Sequence, residues 1–260
     1  MKSTTRCFEF SGNELVRVCL GLEYRHQRLS KLLSREDTDI IQALDLVLQT
    51  LIQIDRYDFR NKFIRFHRVA KRYLQTLSDH PQVDQALLHE HIARYGAFEA
   101  DLYQQAQLLP DVIIKNPFLN FLKKQSTKRD FVTIDTQCSY FKGWMHKDYA
   151  HCITDLRAYN KALVWLWSNT HAVLSLLREN TVSMNVYTEE GYHQYEHANS
   201  AQQIYLVRVL LDRDDIVPLV SVDHRRLLSK FNYLYTSYHP GQERSLYLKK
   251  VQFRLQVGAM

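Results

Sequence analysis

Glycine and proline are scarce, seven and five in 260 residues, and the scarcity removes whole classes of protein. A loop that cradles nucleotide phosphates needs clustered glycines, yet neither GxGxxG nor GxxxxGK followed by Ser or Thr occurs. Long flexible linkers draw on the same residues, so the chain reads as folded and helix-rich. Cys7, Cys19, Cys138 and Cys152 form no CxxC pair, and the N-terminus lacks an apolar leader with a cleavage site. Both features point to a reducing cytosolic compartment. Long hydrophobic runs are missing too: 162–167 is six residues between polar neighbours, far short of the roughly 18 to 20 that span a bilayer. Integral membrane association is not expected.

Catalytic and metal-binding patterns are equally thin. There is no HExxH, and the nearest approaches to ligand spacing are His89 with His91 and His193 with His197. Gly191 and the aromatic neighbours put the second pair in a turn or strand, where a polar connection is the simpler reading. His151 and Cys152 are adjacent near a helix start, so their side chains diverge and cannot act as base and nucleophile. No enzyme activity, cofactor or metal is expected.

What the chain does have is apolar periodicity and positive charge. Hydrophobic residues make up 45% and the formal charge is +6, enough for a sizeable core and an acidic partner. A short strand is expected over 4–10. Ser11 and Glu14, at capping-box spacing, open a helix with Leu15, Val18, Cys19, Leu22, Leu29 and Leu32 on one face. Asp37 or Thr38 caps a second helix ending near Arg56, and a third runs over 58–77. A fourth runs over 84–107, stopped by Pro110. Asn116-Pro117 starts a short helix before a polar loop at 123–130. After a possible strand at 131–134, Asp148 caps one helix to about 180, roughly 50 Å long.

From 181 the period falls to two and β-branched and aromatic residues gather. Strands are expected over 182–187, 204–211, 217–222, 224–235 and 246–257, with Pro240-Gly241 turning between the last two. The fold class is therefore α+β, an N-terminal helical bundle (11–180) whose long helix leads into a C-terminal antiparallel β-domain (181–260). Residues 4–10 are expected to add a strand to that β-domain.

The 221–235 segment has two chemically opposite faces. Leu227, Phe231, Tyr233 and Tyr235 share one side; His224, Arg226, Leu228, Lys230 and Asn232 share the other. A basic strand face can bind anions, but it also keeps sheet edges soluble. The 58–77 helix poses the same choice. Its Arg60, Lys62, Arg65, Arg68, Lys71 and Arg72 could grip phosphates or simply be solvated. A nucleic-acid-binding protein using that helix and the basic strand is the alternative function.

The order and spacing of residues over both halves resemble the ZapD family of bacterial division proteins. The matching positions are Phe8-Glu9, Asn13-Glu14, Arg17, Leu20, 23–29, Arg56, Trp144, His146, the helix to Arg178, Gly191-Tyr192, Pro218, Ser221, Arg226, Lys230 and Phe231. The resemblance implies a cytoplasmic homodimer at the mid-cell division ring. It also implies binding of the C-terminal tail peptide of FtsZ, two sites per dimer bundling protofilaments, with no nucleic acid as partner. Arg226, Lys230 and His224 become the leading peptide-binding candidates, with Arg56 and Arg17 from the helical half and Arg225 ranked below them by its register. The sequence departs from the family pattern at 131–137, FVTIDTQ, and at Asn116-Pro117.

Overall fold

The structure is a computed structural model, and it describes residues 5–126, 138–189, 191–198, 202–223, 225–233 and 250–260. The strand expected at 131–134, the Pro240-Gly241 turn and His224 lie outside them. By internal packing the chain divides into two units, Leu20–Ala172 and Met1–Cys19 with Val173–Met260. No helix among the described residues is long and apolar enough to cross a membrane.

The helices are α1 (Glu14–Leu33), α2 (Ile40–Arg56), α3 (Phe59–Thr76), α4 (Gln85–Gln104), α5 (Asp111–Ile114), α6 (Pro117–Ser126), α7 (Ser139–Met145), α8 (Tyr149–Ala162) and α9 (Val164–Glu179). The division between units falls inside α1 and α9. The α+β class and the joining of the N-terminal strand to the sheet are as the sequence implied. Several ends differ. Asn13, not Ser11, caps α1, its Oδ1 accepting from the Val16 N–H at 2.9 Å; Ser11 is still in the preceding strand. Asp39, not Asp37 or Thr38, caps α2 through the Gln42 N–H. Thr38 instead is buried, its hydroxyl donating to the Leu32 carbonyl at 2.6 Å. The single helix expected over 148–180 is two, because the chain tightens at Leu163, whose N–H bonds to Asn160 three residues back. The apolar stripe survives the break: Leu156, Leu163, Leu166 and Leu174 are all fully buried.

In the helical unit α3 packs on α4, and α2 on α6 and α8. An apolar stripe on α3, Phe59, Phe63, Phe66, Ala70 and Leu74, forms much of the core and also carries a histidine, His67, with no exposed surface. Its Nε2 lies 2.7 Å from Asn169 Oδ1, and the ring stacks on Phe98 at 5.2 Å. Burial among aromatic rings disfavours the imidazolium and holds the pKa at about 4, below the ordinary 6.5. The unfolded chain therefore binds this proton at higher pH than the native one. Stability is complete above pH 6.5 and falls as the pH drops from there toward 4. The gap is worth on the order of 3 kcal/mol at full protonation. We expect the difference in urea midpoint between pH 7.5 and pH 4.5 to shrink in His67→Gln, which keeps a polar partner for Asn169 but does not titrate. An identical difference in both proteins would assign the acid sensitivity elsewhere.

The second unit carries two sheets. One has the order β1-β4-β7-β2 and the other β3-β6-β5, built from β1 (Arg6–Ser11), β2 (Thr181–Thr188), β3 (Tyr192–Glu196), β4 (Ile204–Leu211), β5 (Ile216–Val222), β6 (Arg226–Tyr233) and β7 (Val251–Ala259). All pairings are antiparallel. The last two strands, read from sequence as neighbours across a turn, belong to different sheets. Their inner faces meet instead, with the Phe231 and Phe253 rings 4.7 Å apart. Val207, Val209, Ile216, Leu227 and Leu255 complete that core. Gly12 leaves β1 where a Cβ would stand 2.0 Å from the Ile204 carbonyl oxygen; only glycine lets these backbones approach so closely.

Candidate functional site

The alternation read in β6 is present. Leu227, Ser229 and Phe231 are buried, while Arg226 and Lys230 are exposed. Pairing with β3 and β5 fixes what stands beside each cation. Tyr192, Lys230 and Leu219 form one row across the three strands, Gln194, Leu228 and Ser221 the next, and Glu196 faces Arg226 in the last. Side chains in a row share a face, so the outward surface carries Arg226 and Lys230 two rows apart, about 13 Å along the strand.

The two cations are not equivalent. Arg226 Nη2 lies 3.2 Å from Glu196 Oε1, with both side chains more than half exposed, a pair worth little in water and readily exchanged. Lys230 has no ion-pair partner among the described residues. It stands between Tyr192, 46% exposed, and Leu219, 51% exposed. The β5–β6 connection is held by Asp223 N–H donating to the Arg226 carbonyl and His197 N–H donating to that of Arg225, both at 2.8 Å. Arg225 sits at the bend before β6, exposed in spite of its strand parity. The histidine pair considered as a metal motif is otherwise engaged: His193 packs edge-on against Phe253, burial lowering its pKa, and His197 bonds Tyr195 and Gln202.

Arg17, in the same unit as the sheets, is exposed on α1 and only 3.8 Å from Glu14. Arg56 belongs to the helical unit, at the end of α2. There it lines a groove of about 250 Å³ with Ile52, Asp55, Asn120, Lys123 and Lys124. Lys123 and Lys124, read from sequence as loop residues, are helical in α6, and Lys123 Nζ bonds Asp55 at 2.7 Å. Leu119 and Leu122 anchor α6 in the core, whereas Phe118 and Phe121 stack on Trp144 and Tyr140. On α3, Arg60 donates to the Gln105 carbonyl at 2.6 Å and Arg68 to Glu99 at 3.0 Å, so part of the charge offered to phosphates serves packing against α4.

Comparison with known proteins decides the family. A model of the cell division protein ZapD matches residues 20–228, most of the chain. This chain belongs to the ZapD family. The cell division protein ZapD of Coxiella burnetii (strain RSA 331 / Henzerling II) is 24% identical over 234 residues, covering 89% of this chain and 90% of its own. Those of Cupriavidus pinatubonensis and Bordetella petrii are each 26% identical, covering 79% and 86% of this chain and 81% and 89% of theirs. The match reaches from α1 through the first residues of β6, so it includes β3, β5 and Arg226 and ends two residues before Lys230. For a ZapD family member, Glu196, Tyr192 and Leu219 are the neighbours that sequence reasoning missed. The signal was present in the alternation of YHQYE after Gly191, whose φ of 81° starts the strand.

Proposed function

We propose that this ZapD family protein is a non-enzymatic adaptor of the division machinery. It binds the C-terminal peptide of FtsZ and, as a homodimer, cross-links FtsZ protofilaments at the mid-cell ring in the cytoplasm. The observation that carries the reading is the exposed β6 face, where Arg226 and Lys230 project together from a rigid sheet in a chain of this family. A guanidinium and an ammonium on one strand suit charge-assisted bonds to acidic side chains or carbonyls of an extended tail. Arg225, Arg17, Arg56 and His224 are the further proposed contacts. Modest affinity at each site is sufficient, because tails repeated along a filament raise the effective concentration for the second arm of a dimer.

The test is titration of a labelled FtsZ C-terminal peptide with the full chain at physiological salt, beside a duplex DNA control. Arg226→Ala and Lys230→Ala are each expected to weaken peptide binding about tenfold or more, the worth of one well-placed charged hydrogen bond. Thermal melting should stay unchanged, since both side chains are on the surface. Sedimentation velocity reads the dimer, and low-speed pelleting of filaments reads bundling. A peptide that fails to bind, or binds both variants as it binds the parent, overturns the reading. Salt-sensitive binding to the duplex instead would direct attention to α3.

A further inference from the structure

The outer face of the β3-β6-β5 sheet is not uniformly basic. Register places Tyr192 directly opposite Lys230 on one side and Leu219 directly opposite on the other. These two large apolar side chains are about half exposed. They stand two strand spacings apart, roughly 10 Å, with Lys230 on the strand between them. Partly buried Leu228, diagonal to both in the next row, adds apolar surface. The ammonium of Lys230 has no ion-pair partner among the described residues.

We propose that Tyr192 and Leu219 are specificity-determining residues, an apolar clamp astride Lys230 that takes a large aliphatic or aromatic side chain lying next to a carboxylate in an acidic peptide. The occupant follows from charge and shape together. Lys230 is exposed and has no anionic partner among the described residues, so it is open to a carboxylate from outside. Water displaced from Tyr192, Leu219 and Leu228 favours an apolar neighbour on the same peptide. Charge alone would accept any acidic segment, whereas the clamp separates a peptide with a leucine beside its carboxylate from one with a serine there. In the last row Arg226 exchanges an exposed contact with Glu196 for a ligand, whereas Lys230 has no such contact to give up among the described residues. The inference rests on the reading of this face as the peptide site and adds to it the chemistry of what is read.

The experiment uses two synthetic acidic peptides, identical but for one leucine or serine beside an aspartate, titrated by fluorescence anisotropy into the full chain, its Tyr192→Ser/Leu219→Ser double variant and Lys230→Ala. On the parent protein the leucine peptide should bind about tenfold tighter than the serine peptide, the effect of burying one such side chain. In the double variant the two should bind alike, while Lys230→Ala weakens both. Circular dichroism confirms that the variants fold, as exposed positions predict. If Lys230→Ala weakens both peptides but the leucine preference survives in the double variant, the clamp is wrong and the basic site stands. If neither peptide binds the parent, or Lys230→Ala changes nothing, the reading of the face falls and the clamp with it.

Discussion

Phe231→Ala is expected to destabilise the protein by about 3 to 5 kcal/mol, the range for deleting a buried aromatic ring. The side chain has no exposed surface and meets Phe253 of the other sheet at a ring distance of 4.7 Å. Few atoms lie ready to fill the space, because its neighbours Leu227, Leu255 and Ile216 are themselves fully packed and held by strand backbone. Truncation thus removes transfer free energy and also leaves a cavity. Urea unfolding followed by circular dichroism gives the value, and Phe231→Leu should recover more than half of the loss. A cost below about 1 kcal/mol would mean that the sheets can close over the gap, against the packing described. One residue earlier, Lys230→Ala should leave the midpoint within about 0.5 kcal/mol of the parent. A single strand would then separate cleanly into a face that holds the fold and an exposed face that does not.

Glu9→Ala is expected to cost about 3 kcal/mol, because it removes the carboxylate that two cations share. Arg178, at the end of α9, donates Nε and Nη2 to the two carboxylate oxygens of Glu9 at 2.8 and 2.6 Å. Arg208, opposite Glu9 in the sheet, donates Nε to Oε1 at 3.0 Å and Nη1 to Gln256 at 2.8 Å. The three side chains are only 19% to 26% exposed, so solvent screens them incompletely and the guanidinium groups repel once the carboxylate is gone. Glu9→Gln keeps an acceptor without the charge and should cost less than the alanine. The order alanine, glutamine, parent in denaturant midpoint checks the argument. Equal midpoints for alanine and parent would show that water replaces the carboxylate at no cost.

Local rules read much of this fold correctly because the information they use is local. The stripe Leu15, Val18, Cys19, Leu22, Leu29 and Leu32 is buried as a 3.6-residue period requires. Arg226 and Lys230 are exposed opposite Leu227 and Phe231 because a strand has a period of two. Asp58 and Asp84 cap α3 and α4 where an acidic residue precedes an apolar stripe. Where several polar residues compete for one cap, as in 11–14 and 37–39, spacing alone picked the wrong one. The choice depends on where the preceding strand or turn releases the backbone. His67 was invisible for a different reason. An imidazole in an apolar stripe looks like any polar interruption until Asn169, 102 positions away, is found beside it.

The sequence by itself determined the α+β class, the positions of most helices and strands, the two-faced character of β6 and the resemblance that became family membership. These rest on periodicity, capping chemistry and residue order, all of which act between near neighbours in the chain. Tertiary structure decided which strand lies beside which. It therefore decided that β6 and β7 face each other across a core instead of pairing, that Glu9 joins Arg178 and Arg208, and that Lys230 stands between Tyr192 and Leu219 while Arg226 meets Glu196. Sheet order and register are set by burying the apolar faces of the described strands at once. No segment carries that constraint alone, and the neighbours that shape the proposed site come from it.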